Sequence, residues 1–337
     1  MRILVDVMSG DRPPHELVKG GVSAGRRQSI DVVFAGDSET IDAALSSCGV
    51  TPGSRFDILP TREVIRMEDP PVRSVREKRD SSIVRGLQAV RDGDADAFVS
   101  PGNTGAVVAG SIFTLGRVAG IPRPGLLVAL PSLTGKETFL IDVGANSDCQ
   151  ADHLAHFALM GAMYAREVAG IDEPQIGLLN IGSERGKGNR LSTEAYGLLE
   201  SGELPFAGNV EAQDVLIDRP VDVVVCDGFV GNVFLKATEG GVTAVTSIMR
   251  RRIRRYILAK LGALFLGQTF STIKKTLSYQ RRGGAPLLGV DGVVVVAHGR
   301  SDDVAIESAI DIARRGVEAR LTARFSRGLS GWSTHGI

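Results

Sequence analysis

The apolar residues of this chain fall in short unbroken bursts instead of alternating with polar ones. The bursts occupy residues 3–7, 31–35, 97–100, 125–130, 139–143, 176–181, 221–226 and 292–297, and are built mainly of Val, Ile, Leu and Ala. Uninterrupted bursts of this length mark strands buried on both faces, as in a parallel sheet covered by helices. Helix-period patterns lie between them at 38–47, 81–91, 104–115, 152–168, 193–199 and 303–315. The alternation predicts an α/β fold, a doubly wound and mainly parallel sheet with helices on both faces. The 337 residues suffice for one large α/β unit or about two domains. We expect a single catalytic unit over 1–325, with room for two lobes, and a loose Gly/Ser-rich tail over 326–337 carrying Trp332. The stretch 249–282, with its run of arginines, reads as a basic excursion from the core.

Composition removes several classes. Lys plus Arg and Asp plus Glu both number 39, so no general nucleic-acid affinity is expected. Three cysteines, Cys48, Cys149 and Cys226, are too few for a disulfide framework and fit a reducing cytoplasm. Asp6 interrupts the N-terminus after three apolar residues, and no run of 18 apolar residues occurs. The chain is therefore expected to be neither secreted nor membrane-spanning.

In doubly wound sheets ligands gather beyond the carboxyl ends of the strands. Six bursts end in glycine-rich polar turns, which we expect along one edge of the sheet: Asp6-Val7-Met8-Ser9-Gly10-Asp11, Ser100-Pro101-Gly102-Asn103-Thr104-Gly105, Asp142-Val143-Gly144-Ala145-Asn146, Asn180 through Asn189, Cys226-Asp227-Gly228-Phe229-Val230-Gly231-Asn232, and Ala297-His298-Gly299-Arg300-Ser301. Glycine allows close backbone approach, Asn and Ser give neutral hydrogen bonds, and a following helix N-terminus offers N–H groups to an anion.

Three familiar motifs fail on inspection. Gly21-Val22-Ser23-Ala24-Gly25 has the spacing of a nucleophile elbow but lies inside a helical pattern. Cys149, His153 and His156 could crowd one helix end, yet no second cluster completes a metal site, and the histidines read as structural. The turn Gly182 to Asn189 carries Arg185 and Lys187 but has Gly188 where a magnesium-binding hydroxyl belongs, so it is no Walker A loop. No Gly-x-Gly-x-x-Gly follows the first strand, which disfavours a dinucleotide. A phosphate held without metal or cofactor is what remains.

Taken in order, these turns resemble a known family, the phosphate acyltransferases called PlsX. The match extends to Arg79-Asp80-Ser81-Ser82, Leu178-Leu179-Asn180-Ile181-Gly182, Gly186-Lys187-Gly188-Asn189, Gly283-Gly284-Ala285-Pro286-Leu287-Leu288-Gly289 and Ala297-His298-Gly299, covering the chain to about Arg315. The chain departs at Ser9, where the family has glycine, at Arg12-Pro13-Pro14, and at Arg282, commonly Tyr. The resemblance implies a fold similar to the isocitrate and isopropylmalate dehydrogenases, a homodimer, and transfer of a fatty acyl group from acyl carrier protein to inorganic phosphate. The acyl phosphate would then serve phospholipid synthesis, with the enzyme cytoplasmic and peripheral to an anionic membrane surface.

Phosphate is already a nucleophile, so such a site need only hold it against a thioester carbonyl and stabilise the developing oxyanion. Lys187, with the backbone of Gly186 and Gly188, is the candidate for phosphate. Asn232, on the turn of Gly231, is the candidate for the carbonyl oxygen, and His298 for protonating the leaving thiolate. Asn103, Thr104, Asn146, Asn180 and Asp227 would complete a polar floor, and Asp6, Gly10, Asp11 and Gly284 belong to the matching motifs. The same residues leave open a phosphotransacetylase-like enzyme using acyl coenzyme A, and a noncatalytic scaffold that binds acyl carrier protein. Within 249–266, Met249, Ile253, Ile257, Leu261 and Leu264 recur at helical spacing beside Arg250, Arg251, Arg252, Arg254, Arg255 and Lys260. That pattern suits a lipid surface or a dimer interface.

Overall fold

The computed structural model describes residues 1–53, 55–256 and 283–329. The predicted bursts are strands: β1 (Arg2–Asp6), β2 (Asp31–Gly36), β4 (Ala97–Ser100), β5 (Gly125–Pro131), β6 (Glu137–Ile141), β7 (Ile176–Asn180), β9 (Val223–Val225) and β11 (Val293–Val296). Three further strands carry polar residues or proline that hid them: β3 (Phe56–Pro60), β8 (Phe206–Glu211) and β10 (Ala285–Leu288). β3 and β8 are the two edges of the sheet, where one side of the ladder meets solvent, and so need no unbroken apolar run.

The helices are α1 (Pro14–Gln28), α2 (Ser38–Ser47), α3 (Pro71–Glu77), α4 (Ser82–Asp92), α5 (Thr104–Thr114), α6 (Ala151–Glu167), α7 (Arg190–Ser201), α8 (Ala212–Ile217), α9 (Gly228–Arg255), α10 (Asp303–Glu318) and α11 (Leu321–Leu329). Ser23 is a helical residue of α1 whose hydroxyl donates to Glu307, as its context predicted. α11 carries helix past residue 326, where a tail was expected, and buries Phe325. Trp332, the stripe members Ile257, Leu261 and Leu264, Lys260, and Arg282 lie outside the described residues. What is described of the basic stripe is the end of α9, a helix that begins much earlier, at Gly228.

Among the described residues one sheet runs in the order β3-β2-β1-β4-β11-β10-β5-β6-β9-β7-β8. One face is lined by a continuous core cluster containing Leu4, Phe98, Val296, Leu126, Leu140 and Val224. The opposite face carries two clusters, one beneath β1, β2 and β4 with α1 and α10, the other beneath β6, β9 and β7 with α6. Helices thus cover both faces, as predicted.

Strand polarity corrects one expectation. β10 is antiparallel to β11 and to β5, and β5 is antiparallel to β6. Consequently β6, β9, β7 and β8 run opposite to β1, β2, β3, β4 and β11, and the six glycine-rich ends cannot share an edge. Register shows which ends still meet. Ser100, Val296 and Ala285 stand in one cross-strand row. Extending the pairing of Leu287 with Leu126 by two residues brings Val128, Leu140 and Val224 into that row. β4 and β11 end in the row, and β6 and β9 stop one residue beyond it. β7 crosses it at Gly177 and runs on to Asn180. The turns after β6 and β9 therefore return to the centre of the sheet, while the turn after β7 leaves at the far edge.

Candidate active site

Two buried carboxylates shape the turns. Asp6 has no solvent exposure; its carboxylate accepts the N–H groups of Met8 and Ser9 and the Ser100 hydroxyl, the last at 2.7 Å. Ser9, the departure from the family pattern, is buried and bonds the Ser82 hydroxyl at 3.2 Å. Asp142 is the counterpart in the other half. Its oxygens accept from the N–H of Leu126, Gly144, Ala145 and Asn146 and from the Asn146 amide. Burial pushes its carboxyl above the usual carboxylate range, while those hydrogen bonds oppose the shift. Asp6, Asp142 and Asn146 are thus organisers of loops.

The start of α9 is pinned onto the Asp142 turn. Asp227 caps the helix by accepting from the N–H groups of Phe229 and Val230, at 3.0 and 2.9 Å. The Gly228 N–H donates to the Asn146 carbonyl. Gly231 lies so close that a Cβ there would sit 1.9 Å from the Asp142 carbonyl oxygen. No other residue fits, and the approach sets where Asn232 points: its amide nitrogen lies 3.5 Å from where a Cβ on Gly144 would stand.

These constraints frame a central cleft of about 320 Å³ floored by Leu126, Val128 and Val296. From one half come Asp11, Gly102, Thr104, His298 and Gly299; from the other, Gly144, Asn232, Lys236 and Glu239, with Gly284 leading into β10. Asn103 caps α5, its Oδ1 accepting the Ala106 N–H at 3.1 Å while its Nδ2 donates to the Met67 carbonyl at 2.9 Å. The Asp11 N–H donates to the Gly299 carbonyl at 2.7 Å, tying the first and last turns together. His298 Nδ1 accepts the Arg300 N–H at 3.1 Å. A neutral ring therefore carries its proton on Nε2, free to donate.

Of the sequence-predicted residues the cleft gathers Asp11, Thr104, Asn232, Gly284 and His298. Gly10 packs behind it against Pro101. Asn180, Gly188 and Asp227 border a separate, mostly apolar groove on the other side of α9, with Ile181, Phe229 and Val233 exposed along it. Asn180 spends its amide on the Lys187 carbonyl and on Asn209. Gly186 and Lys187 lie on the exposed turn after β7, where Lys187 pairs with Glu184 at 3.7 Å and Arg185 with Glu200 at 2.5 Å. Lys187 and Asn232 are therefore not brought to one cavity. Sequence reading missed Lys236 and Glu239, although Lys236 lies one helical turn beyond Asn232 and follows from the α9 cap at Asp227.

Elsewhere, His153 Nδ1 accepts the Gln150 N–H at the start of α6, and His156 Nδ1 bonds the Asp152 carbonyl at 2.7 Å. Both histidines thus have structural partners. Cys226 is buried and its thiol bonds the Asp142 carbonyl oxygen at 3.4 Å; burial pushes it well above the ordinary thiol range, and burial pushes Cys149 up to about 12. Among the described residues no helix is long and apolar enough to cross a membrane.

The fold of the chain is shared with solved enzymes. The chain superposes on a phosphotransacetylase from Streptococcus pyogenes with TM-score 0.61 and 17% identity, covering 95% of this chain and 94% of that one. It also superposes on a 4-hydroxythreonine-4-phosphate dehydrogenase from Klebsiella pneumoniae with TM-score 0.57 and 11% identity, covering 94% and 99%. At such identities the likeness concerns the fold. In sequence, residues 1–324 match the family described as "Fatty acid synthesis protein". Relatives named phosphate acyltransferase include one from Heliobacterium modesticaldum, 43% identical over 98% of both chains, and one from Desulfitobacterium hafniense, 44% identical over 95% of both. The chain belongs to this family of acyltransferases, the PlsX family.

Proposed function

We propose that the protein transfers a fatty acyl group from the thioester of acyl carrier protein to inorganic phosphate, and that the acyl phosphate feeds phospholipid synthesis. The observation that carries this reading is the cleft itself, whose lining includes Asn232, with no hydrogen-bond partner among the described residues, together with Thr104 at the α5 N-terminus and the His298 ring. Phosphate would sit by the free N–H groups at the start of α5. Its oxygen attacks the thioester carbonyl; the Asn232 amide donates to the oxyanion; the C–S bond breaks, the departing thiolate accepts a hydrogen bond from the His298 Nε2–H, and it takes up the proton carried by the attacking hydrogen phosphate. Full family membership along 1–324 supports the same reaction class.

The reading includes a homodimer and a reversible contact with anionic lipid. What supports them is α9, where Val245 and Ile248 are more than half exposed and the helix ends in Arg250, Arg251, Arg252, Arg254 and Arg255. Sedimentation with anionic and zwitterionic vesicles at low and high salt tests the lipid contact. The reaction is tested by incubating the protein with phosphate and either acyl carrier protein thioester or acyl coenzyme A, then trapping acyl phosphate with hydroxylamine. Product from the carrier protein thioester is expected. Product from coenzyme A alone would make the enzyme phosphotransacetylase-like, and no product from either would make it a scaffold.

A further inference from the structure

The cleft carries an electrostatic problem. Two carboxylates line it, Asp11 and Glu239, and a phosphate dianion entering there needs a cation that the exposed turn of Lys187 does not bring. We propose that Lys236 is the phosphate-binding cation of the central cleft, an assignment that rests on the acyl-to-phosphate reading above. Lys236 is the one Lys or Arg among the described residues lining the cleft. It stands four residues after Asn232 in α9, so both project from the same face of the helix. That face is fixed in rotation by the Gly231 contact with Asp142 and by the Asp227 cap. Among the described residues Lys236 has no ion-pair partner, whereas Lys187 and Arg185 each have one.

The opposite wall supplies what a cation alone lacks. Asn103 spends its side-chain oxygen on the Ala106 N–H, which leaves the first-turn N–H of Thr104, a residue lining the cleft, for an anion. Phosphate is thus held by point charge from one half of the sheet and by oriented N–H groups from the other. The thioester carbonyl at Asn232 lies one helical turn from the charge. A flexible lysine stem suits a ligand that must shift toward the carbonyl as the bond forms.

Lys236→Ala, Lys236→Gln and Lys236→Arg, made in the full chain and checked by circular dichroism, decide the matter with inorganic phosphate as the probe. The expected result is a rise of tenfold or more in KM for phosphate in the Ala and Gln variants, thioester KM within twofold, and partial recovery with Arg. The phosphate-dependent rise in Tm of the wild type should shrink in the same variants. Unchanged phosphate KM and Tm response in Lys236→Ala overturn the proposal, as does a selective rise in phosphate KM for Lys187→Ala instead. If the wild type makes no acyl phosphate, the transfer reading fails, while the Tm response to phosphate still decides whether Lys236 holds the anion.

Discussion

Replacing Gly231 by alanine tests how closely catalysis depends on the seating of α9. The new Cβ would stand 1.9 Å from the Asp142 carbonyl oxygen and 2.9 Å from the Cys226 sulfur, where ordinary contact begins near 3.4 Å. The obstructing atom is backbone, and the Asp142 N–H is itself tied to the Cys226 carbonyl at 3.0 Å, so the helix must retreat by about 1.5 Å. Asn232 and Lys236 move with it. Misplacement of about 1 Å costs on the order of a hundredfold in rate, so kcat for acyl phosphate formation should fall at least that far. Overpacking of this kind costs about 1–3 kcal/mol, which should lower Tm by several degrees. Gly197→Ala is the control: it lies in α7 with nothing within 4 Å of the added carbon, and should gain about 0.5–1 kcal/mol with full activity. Hydroxylamine trapping at 25 °C, well below either Tm, separates rate from stability. A lowered Tm with near-native kcat would show that the position of α9 does not govern the chemistry, and an unchanged Tm would refute the tight contact.

Asn232→Ala should lower kcat by about a hundredfold with little change in Tm, since one preorganised oxyanion donor is lost; a kcat within threefold of wild type rules out the assignment. Asp227→Ala removes the α9 cap and should cost about 1 kcal/mol in thermal unfolding, a wild-type Tm being the contrary result. Cys226→Ala should retain most turnover, because a buried thiol pushed well above its ordinary range is no nucleophile; an acyl-Cys226 that transfers to phosphate, seen by intact mass spectrometry, would refute direct attack. Cys149, pushed up to about 12, should be alkylated slowly at pH 8, about tenfold faster for each pH unit up to that value, and a plateau below pH 10 would contradict the shift.

The core strands were legible because burial on both faces demands unbroken Val, Ile and Leu, whereas β3 and β8, each paired on one side, tolerate Asp57 and Asn209 and left no such mark. β10 was hidden by Pro286. The reversal of the second half was not legible, because it depends on two antiparallel connections at the centre of the sheet, and local composition says nothing of strand direction. The separation of Lys187 from Asn232 has another cause, because β7 and β9 are parallel neighbours in the same half. Both follow glycine-rich strand ends, but β9 stops at Val225, one residue beyond the central row, whereas β7 runs on to Asn180. Asp6, Asn103 and Asp227 were expected in the polar site, and the structure gives each a turn or cap bond, because a polar residue that caps a loop and one that meets a ligand share a composition. Only the partners of each side chain separate them.

The junction of the two halves explains why the proposed reactants need no covalent relay. β4 and β11 end at the central row and β6 and β9 one residue beyond it, and each half brings its own proposed recognition group: N–H donors and the His298 ring from β4 and β11, the amide and ammonium of Asn232 and Lys236 from the helix after β9. In the proposed reaction a phosphate gripped from both walls meets a thioester carbonyl held at Asn232 above the floor of Leu126, Val128 and Val296. The relation between the walls is set by the central ladder β11-β10-β5-β6, which is largely buried. Orientation of two bound reactants is the effect that such a rigid ladder supplies best, and it is the effect that transfer to phosphate most requires. A covalent enzyme intermediate would add a second transfer that this orientation makes unnecessary.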